Sequence, residues 1–174
     1  MESRQKACGI RPAVVTVGRV GEFLRQLRSI GQEHNTGIIC FNADNMAGLR
    51  HAEVALAQAV RSFHGGSPTG KTLEMEALLY AAGTRQCSEA AAFGIREGQN
   101  RIYLCCCPPG PEIIDALRSL VQYVDDTYDC LEADRAARLR LHFSISEGEL
   151  VAAGGEARLQ DLVIERVALI NAYR

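Results

Sequence analysis

Two short stretches and a set of thiols carry the residue types that could do chemistry here. GGSPTGKT, Gly65–Thr72, fits the phosphate-loop pattern G-x-x-x-x-G-K-[ST]. In that pattern backbone N–H groups cradle phosphates at a helix N-terminus and the lysine reaches the outer ones. The second stretch is GTRQCSEA, Gly83–Ala90. Gly83 is placed to stop one helix and Thr84 to cap the next. Arg85 and Gln86 would then lie in a first helical turn, beside unpaired N–H groups and the positive end of the helix dipole. That arrangement suits a phosphate, and Arg and Gln also suit a base, by stacking and by hydrogen bonding its edge. The plainer alternative is an Arg85–Glu89 pair four residues apart.

Seven cysteines, Cys8, Cys40, Cys87, Cys105, Cys106, Cys107 and Cys130, complete the inventory. None forms a C-x-x-C pair and no histidine stands at zinc-ligand spacing. The expected role is that of small buried hydrophobes in a reducing compartment, with a redox or metal site as the alternative. No catalytic constellation is legible. His34, His51, His64 and His142 are scattered. Glu74 and Glu76, two apart, face different sides of a helix, and Asp125–Asp126 suits a solvated turn. No catalytic residue, metal or cofactor is expected.

Composition narrows the classes. The chain has 174 residues, 47% of them hydrophobic, and a net charge of −2. One domain with a real core is expected. There is no global electrostatic drive toward nucleic acid or an anionic membrane, so any RNA contact must be local. The start, MESRQKACGIRP, lacks the apolar segment of a secretory signal, and no apolar run spans a bilayer. A soluble cytoplasmic protein is expected.

The elements that must position these residues follow from periodicity. PAVVTV is a strand, Val20–His34 a helix, and TGIICF a central strand. Asn42 or Asp44 caps a helix running to Phe63, with Ala52, Ala55, Leu56, Ala59, Val60 and Phe63 on one face. The phosphate-loop pattern is therefore fed by a helix instead of a buried strand, which argues for a plain interhelical connection. TLEMEALLYAAG is a helix ended by Gly83, followed by a short helix around RQCSEAAAFG and the strand NRIYLCC. Pro111 opens a helix through EIIDALRSLV, and DTYDCL is a fourth strand. EADRAARLRLHFSI is a helix, and a glycine-containing turn leads to the last one, about residues 157–173. The expected class is α+β, a single domain with helices packed around a small mixed or antiparallel sheet.

On that last helix Leu159, Val163, Val167 and Ile170 form a stripe. Leu162, Leu169 and Tyr173 widen it, and Ile164 and Ala168 extend it. The apolar arc exceeds what one core face needs, so the helix is either deeply buried or shared between the core and a partner.

LEMEALLYAAGTRQCSEAAAFGI, then RIYLCC, then VIERVALI resemble the small kinase-binding subunit of the KEOPS complex, a family of archaeal and eukaryotic TPRKB proteins. The matching positions are Glu76, Ala82, Gly83, Arg85, Gln86, Ala90 and Gly94, and the order of elements agrees from about Pro12 onward. Cys87 stands where the family carries an aliphatic residue, and the Gly65–Lys71 loop is unusual for it. The resemblance implies a non-catalytic subunit of the tRNA threonylcarbamoyl-adenosine modification complex. Such a subunit binds a small atypical kinase/ATPase and recruits tRNA through its single-stranded 3′ CCA end. Arg85, Gln86, Lys71 and Phe93 are then the candidate tRNA contacts, and Ile164, Val167, Ala168 and Ile170 the candidate kinase contacts. The alternative is an ATP-binding enzyme using Gly65–Thr72.

Overall fold

The computed structural model describes residues 7–172. In chain order the elements are β1 (Gly9–Val17), α1 (Val20–Glu33), β2 (Gly37–Asn42), α2 (Leu49–His64), α3 (Leu73–Ala82), α4 (Cys87–Ala90) and β3 (Gly98–Cys107). They continue with α5 (Pro111–Leu117), β4 (Gln122–Tyr123), α6 (Ala133–His142), α7 (Glu147–Ala153) and α8 (Leu159–Leu169). The strands form one sheet in the order β2-β3-β1-β4, with every neighbouring pair antiparallel. The α+β class expected from sequence is what forms.

Helices cover both faces of the sheet. Val15, Val17, Cys40, Ile102 and Leu104 pack on Phe23 and Leu27 of α1 and on Ile113 and Leu117 of α5. Ile39, Phe41, Tyr103 and Cys105 point the other way, onto α2, α3 and α8. Double coverage is why TGIICF and RIYLCC are continuous apolar runs without alternation. Pro12 sits in β1 where its nitrogen faces β4, so the missing donor breaks no bond to β3.

Four local expectations need correction. TGIICF, expected to be central, is β2 at the sheet edge, paired with β3 alone; its continuous apolar run comes from helices on both faces and not from a central place. The fourth strand is Gln122–Tyr123, and DTYDCL is irregular, with a bend at Cys130. There Tyr128 takes φ 55° and packs its ring edge-on against Tyr103, with its hydroxyl donating to the Ala13 carbonyl. Asn42 does not cap α2. Its side chain accepts from the Asp44 N–H and starts a 3-10 turn at Ala43–Asn45. α2 begins after Gly48, and its Leu49 N–H is capped from a distance by the Asp129 carboxylate at 2.8 Å. The segment before the last helix holds α7, capped by Ser146 Oγ on the Glu149 N–H. Tyr173 lies outside the described residues.

The cysteines also divide. Cys8 and Cys107, assigned to the reduced set, are joined by a disulfide. The β1–β3 register pairs Gly9 with Cys106, which brings Cys8 opposite Cys107 with Cα atoms 4.4 Å apart. Cys40, Cys105 and Cys106 are buried thiols as expected, and burial pushes Cys106 up to about 11. Cys87 and Cys130 are exposed.

Candidate functional site

The phosphate-loop pattern joins α2 to α3 with no strand before it. Thr72 caps α3, its Oγ accepting from the Met75 N–H at 3.1 Å. The loop amides already hold an anion from the chain itself. Thr69 and Gly70 donate their N–H groups to Glu76 Oε2 at 2.9 and 2.6 Å, and Ser62 Oγ donates to Oε1 at 2.7 Å. Glu76 is 2% exposed. A Cβ at residue 70 would stand 2.6 Å from the Glu76 nitrogen, so Gly70 is needed for the close approach. Nothing in the sequence marked Glu76 as the centre of this loop, because its partners lie six and seven residues before it in the loop and fourteen before it in α2. Lys71 is exposed at the N-terminal end of α3.

The other end of α3 carries the second stretch. Gly83 ends the helix with φ 62°. Thr84 Oγ accepts from the Gln86 N–H at 3.1 Å and donates to Glu89 at 2.8 Å. Glu89 is thus tied to Thr84 and does not pair with Arg85. The following helix is shorter than expected. It begins at Cys87 and has four residues, so Arg85 and Gln86 precede it instead of occupying its first turn. Both are exposed. The Arg85 guanidinium donates to the Ile170 carbonyl at 3.2 Å, a cation at the C-terminal end of α8 where the helix dipole favours it.

Two histidines that sequence left scattered hold this corner in place. His51 Nδ1 accepts from the Ala47 N–H at 2.9 Å, so its Nε2 is the protonated nitrogen and donates to the Ala81 carbonyl at 2.9 Å. His142 Nε2 reaches the Ala82 carbonyl at 2.8 Å. The last carbonyls of α3, which have no intrahelical partner, are satisfied by imidazoles. Burial lowers the His51 pKa to about 4. Phe93 belongs to this cluster, 2% exposed, with ring centroids 4.9 Å from His142 and 6.2 Å from Phe143. It is core and presents no face to a base.

On α8 the apolar arc splits. Leu159, Leu162, Val163 and Val167 are buried in the core, Val167 completely. Val167 therefore supports a contact face from within and is not part of it. Ala168 and Leu169 are exposed, and Ile164 and Ile170 half-buried. A cleft of about 600 Å³ gathers Arg85, Gln86, His142, Arg166, Leu169 and Ile170. Arg166 is fixed there by Glu149 of α7 at 2.6 Å. The fold thus brings Arg85, Gln86 and Ile170 together. It leaves Lys71 at the far end of α3, about 15 Å away by the rise of a ten-residue helix.

Among the described residues no cluster of three or more His, Cys, Asp or Glu side chains could hold a metal ion. No helix among them is long and apolar enough to cross a membrane. No curated protein matches the chain at a significant level. The family model for the kinase binding protein CGI-121 matches residues 17–171, which takes in α3, the Gly83–Gln86 turn and α8. The chain belongs to this family of kinase-binding proteins, the KEOPS small-subunit family that its Gly-x-Arg-Gln motif resembles.

Proposed function

We propose that this chain is a non-catalytic KEOPS subunit in the cytoplasm. It binds the small atypical kinase/ATPase through the outward end of α8 and recruits tRNA through the 3′ CCA end. Family membership supports the kinase half. The observation that carries the rest is the Arg85–Ile170 hydrogen bond, which joins the exposed Arg85–Gln86 pair to the apolar end of α8 in one patch. Ala168, Leu169 and Ile170, with Ile164 beside them, give the apolar contact. Arg85 and Gln86, at its rim, give a cation and an amide. A few such polar contacts with stacking suffice to grip a short single-stranded end on a protein of net charge −2. As an adaptor the chain would hold the tRNA end beside the kinase and do no chemistry itself.

An ATP-binding enzyme built on Gly65–Thr72 has less support. The amides that would cradle phosphates are bonded to Glu76, and a second anion there would face a buried carboxylate. The experiment is a mixing test on the purified chain. Co-elution with the cognate kinase, and tighter binding of intact tRNA than of tRNA lacking CCA, are expected. Saturable Mg²⁺-dependent ATP binding by the isolated chain, lost in Lys71→Ala, would overturn this reading in favour of the enzyme.

A further inference from the structure

β2 is an edge strand, paired on one side only, with β3. The ladder fixes which of its main-chain groups face outward. Val124 donates its N–H to the Pro12 carbonyl at 3.1 Å, so even-numbered residues of β1 face β4 and odd-numbered ones face β3. The continuous registers Ala13↔Ile102 and Phe41↔Tyr103 then turn the odd-numbered residues of β2 onto β3. Ile38 and Cys40 are left pointing their N–H and C=O groups away from the sheet. Among the described residues no main-chain hydrogen bond from another element reaches either.

Beyond Ile38 lies a cleft of about 540 Å³. Leu24, Leu27 and Arg28 of α1 wall one side, and Leu73 and Glu74 of α3 the other. The Glu74 side chain is only 26% exposed, and its nearest cation is Arg28 Nη2 at 3.9 Å, on a side chain that is 61% exposed. Burial raises the Glu74 pKa. The cleft therefore offers three things at once: a strand edge with a free donor and acceptor, apolar walls, and a carboxylate short of a partner.

We propose that this cleft receives an extended polypeptide segment of a partner, which adds to β2 through Ile38, seats an apolar side chain between Leu24 and Leu73, and brings a basic side chain to Glu74. A donor and acceptor at strand spacing are matched by another strand, and alternate side chains then fall into the flanking walls. A nucleic-acid strand would set phosphates against Glu74. A second copy would have to bring its own β2 edge past α1 and α3. The site lies at the opposite end of α3 from Arg85, so it does not rest on the tRNA or kinase reading.

The test uses the full chain and a displayed library of hexapeptides with one fixed lysine. The most enriched peptide is labelled and followed by fluorescence polarisation. Ile38→Pro removes only an outward N–H, which an edge strand tolerates, and circular dichroism checks its fold. It should weaken binding about tenfold, the worth of one hydrogen bond and its ordering. Glu74→Gln should cost about threefold. Methylating the single peptide nitrogen that pairs with Ile38 should abolish binding to the unaltered protein, while methylating its neighbours should not. Failure to enrich any sequence above the Ile38→Pro background overturns the proposal. So does equal binding by both proteins, or loss on methylation at every position alike. A dimer of the wild-type chain in sedimentation that Ile38→Pro dissolves would also overturn it, assigning the edge to a second copy.

Discussion

Glu76→Ala should be among the most destabilising single changes in the chain, although it removes no apolar contact. The carboxylate accepts from Ser62 Oγ, Thr69 N–H and Gly70 N–H, all within 2.9 Å, and is 2% exposed. A hydrogen bond to a charged group contributes roughly 1.5–3 kcal/mol, and a plain sum of three, about 4.5–9 kcal/mol, exceeds what single substitutions usually cost. Thr69 is exposed, so its freed amide can recover water, whereas Gly70 is buried and its amide is left without a partner. A loss of about 3 kcal/mol follows, or roughly 6–12 °C in Tm for a chain this long. Glu76→Gln is the control. Its carbonyl oxygen can face the two amides while its NH₂ meets Ser62 Oγ, whose hydroxyl can rotate to accept. All three bonds survive at neutral strength, so the loss should be about 1 kcal/mol. Urea unfolding gives both values, and amide exchange at Thr69 and Gly70 locates the effect. In the wild type both amides should exchange slowly, and in the alanine variant fast. A Glu76→Ala protein within ~0.5 kcal/mol of wild type, with both amides still protected, would refute the reasoning.

Arg85→Ala should weaken intact tRNA, leave the residual binding of trimmed tRNA unchanged, and flatten the salt dependence by about one phosphate contact. Equal losses on both RNAs in a filter-binding titration would remove Arg85 from the 3′ end. Leu169→Glu should leave a folded protein that no longer co-elutes with the kinase, since a charge in an apolar interface typically costs about 2 kcal/mol or more. Val167→Glu should fail at folding instead, because Val167 is fully buried, and a stable Val167→Glu protein would contradict the split of α8. His51 makes stability pH-dependent with a definite sign. Its folded pKa of about 4 lies below the unfolded value of about 6.5, so the unfolded chain binds the extra proton between them. Stability should fall as pH drops through that window, by up to about 3 kcal/mol at its lower end. His51→Gln should flatten the slope in urea titrations at pH 7 and 4.5.

What sequence made legible and what it did not divide along one physical line. Local patterns were enough wherever one element's own period or cap decided the outcome. Thr72 caps α3, Gly83 ends it in the left-handed region, Pro111 opens α5, and the apolar runs of β2 and β3 are strands, although only β3 is central and β2 lies at the sheet edge. The misplacements came where a distant residue decided. α2 starts at Leu49 because Asp129, 80 residues away, satisfies its first N–H, and no window around Asn42 contains that information. α8 shows too wide an arc for one face, but which residues turn inward depends on where α2 and α3 lie. For the candidate site, Arg85, Gln86 and Ile170 were named from sequence and do converge. Phe93 and Val167 were named for their type and are core, since an aromatic or branched side chain looks alike on either side of a helix.

The helix that links all of these sites is α3. From Glu76 to Ala82 every residue is buried, so the helix sits inside the molecule, with the polar groups of Glu76 and Tyr80 each hydrogen-bonded. A buried helix cannot leave its ends to water, and both ends of α3 are satisfied by side chains from elsewhere. At the N-terminal end Thr72 caps the first turn and Glu76 binds the incoming loop. At the C-terminal end His51 and His142 take the last carbonyls, and Tyr80 reaches Asn171 beyond α8 at 2.8 Å. The turn that follows therefore leaves a fixed point. Arg85 emerges from it against the Ile170 carbonyl because α3 and α8 are tied together just beneath. The Gly-x-Arg-Gln motif is short, yet its exposed residues are positioned by a cluster of buried ones. Tyr80 is buried, so a change there should disturb binding at Arg85 without touching the ligand.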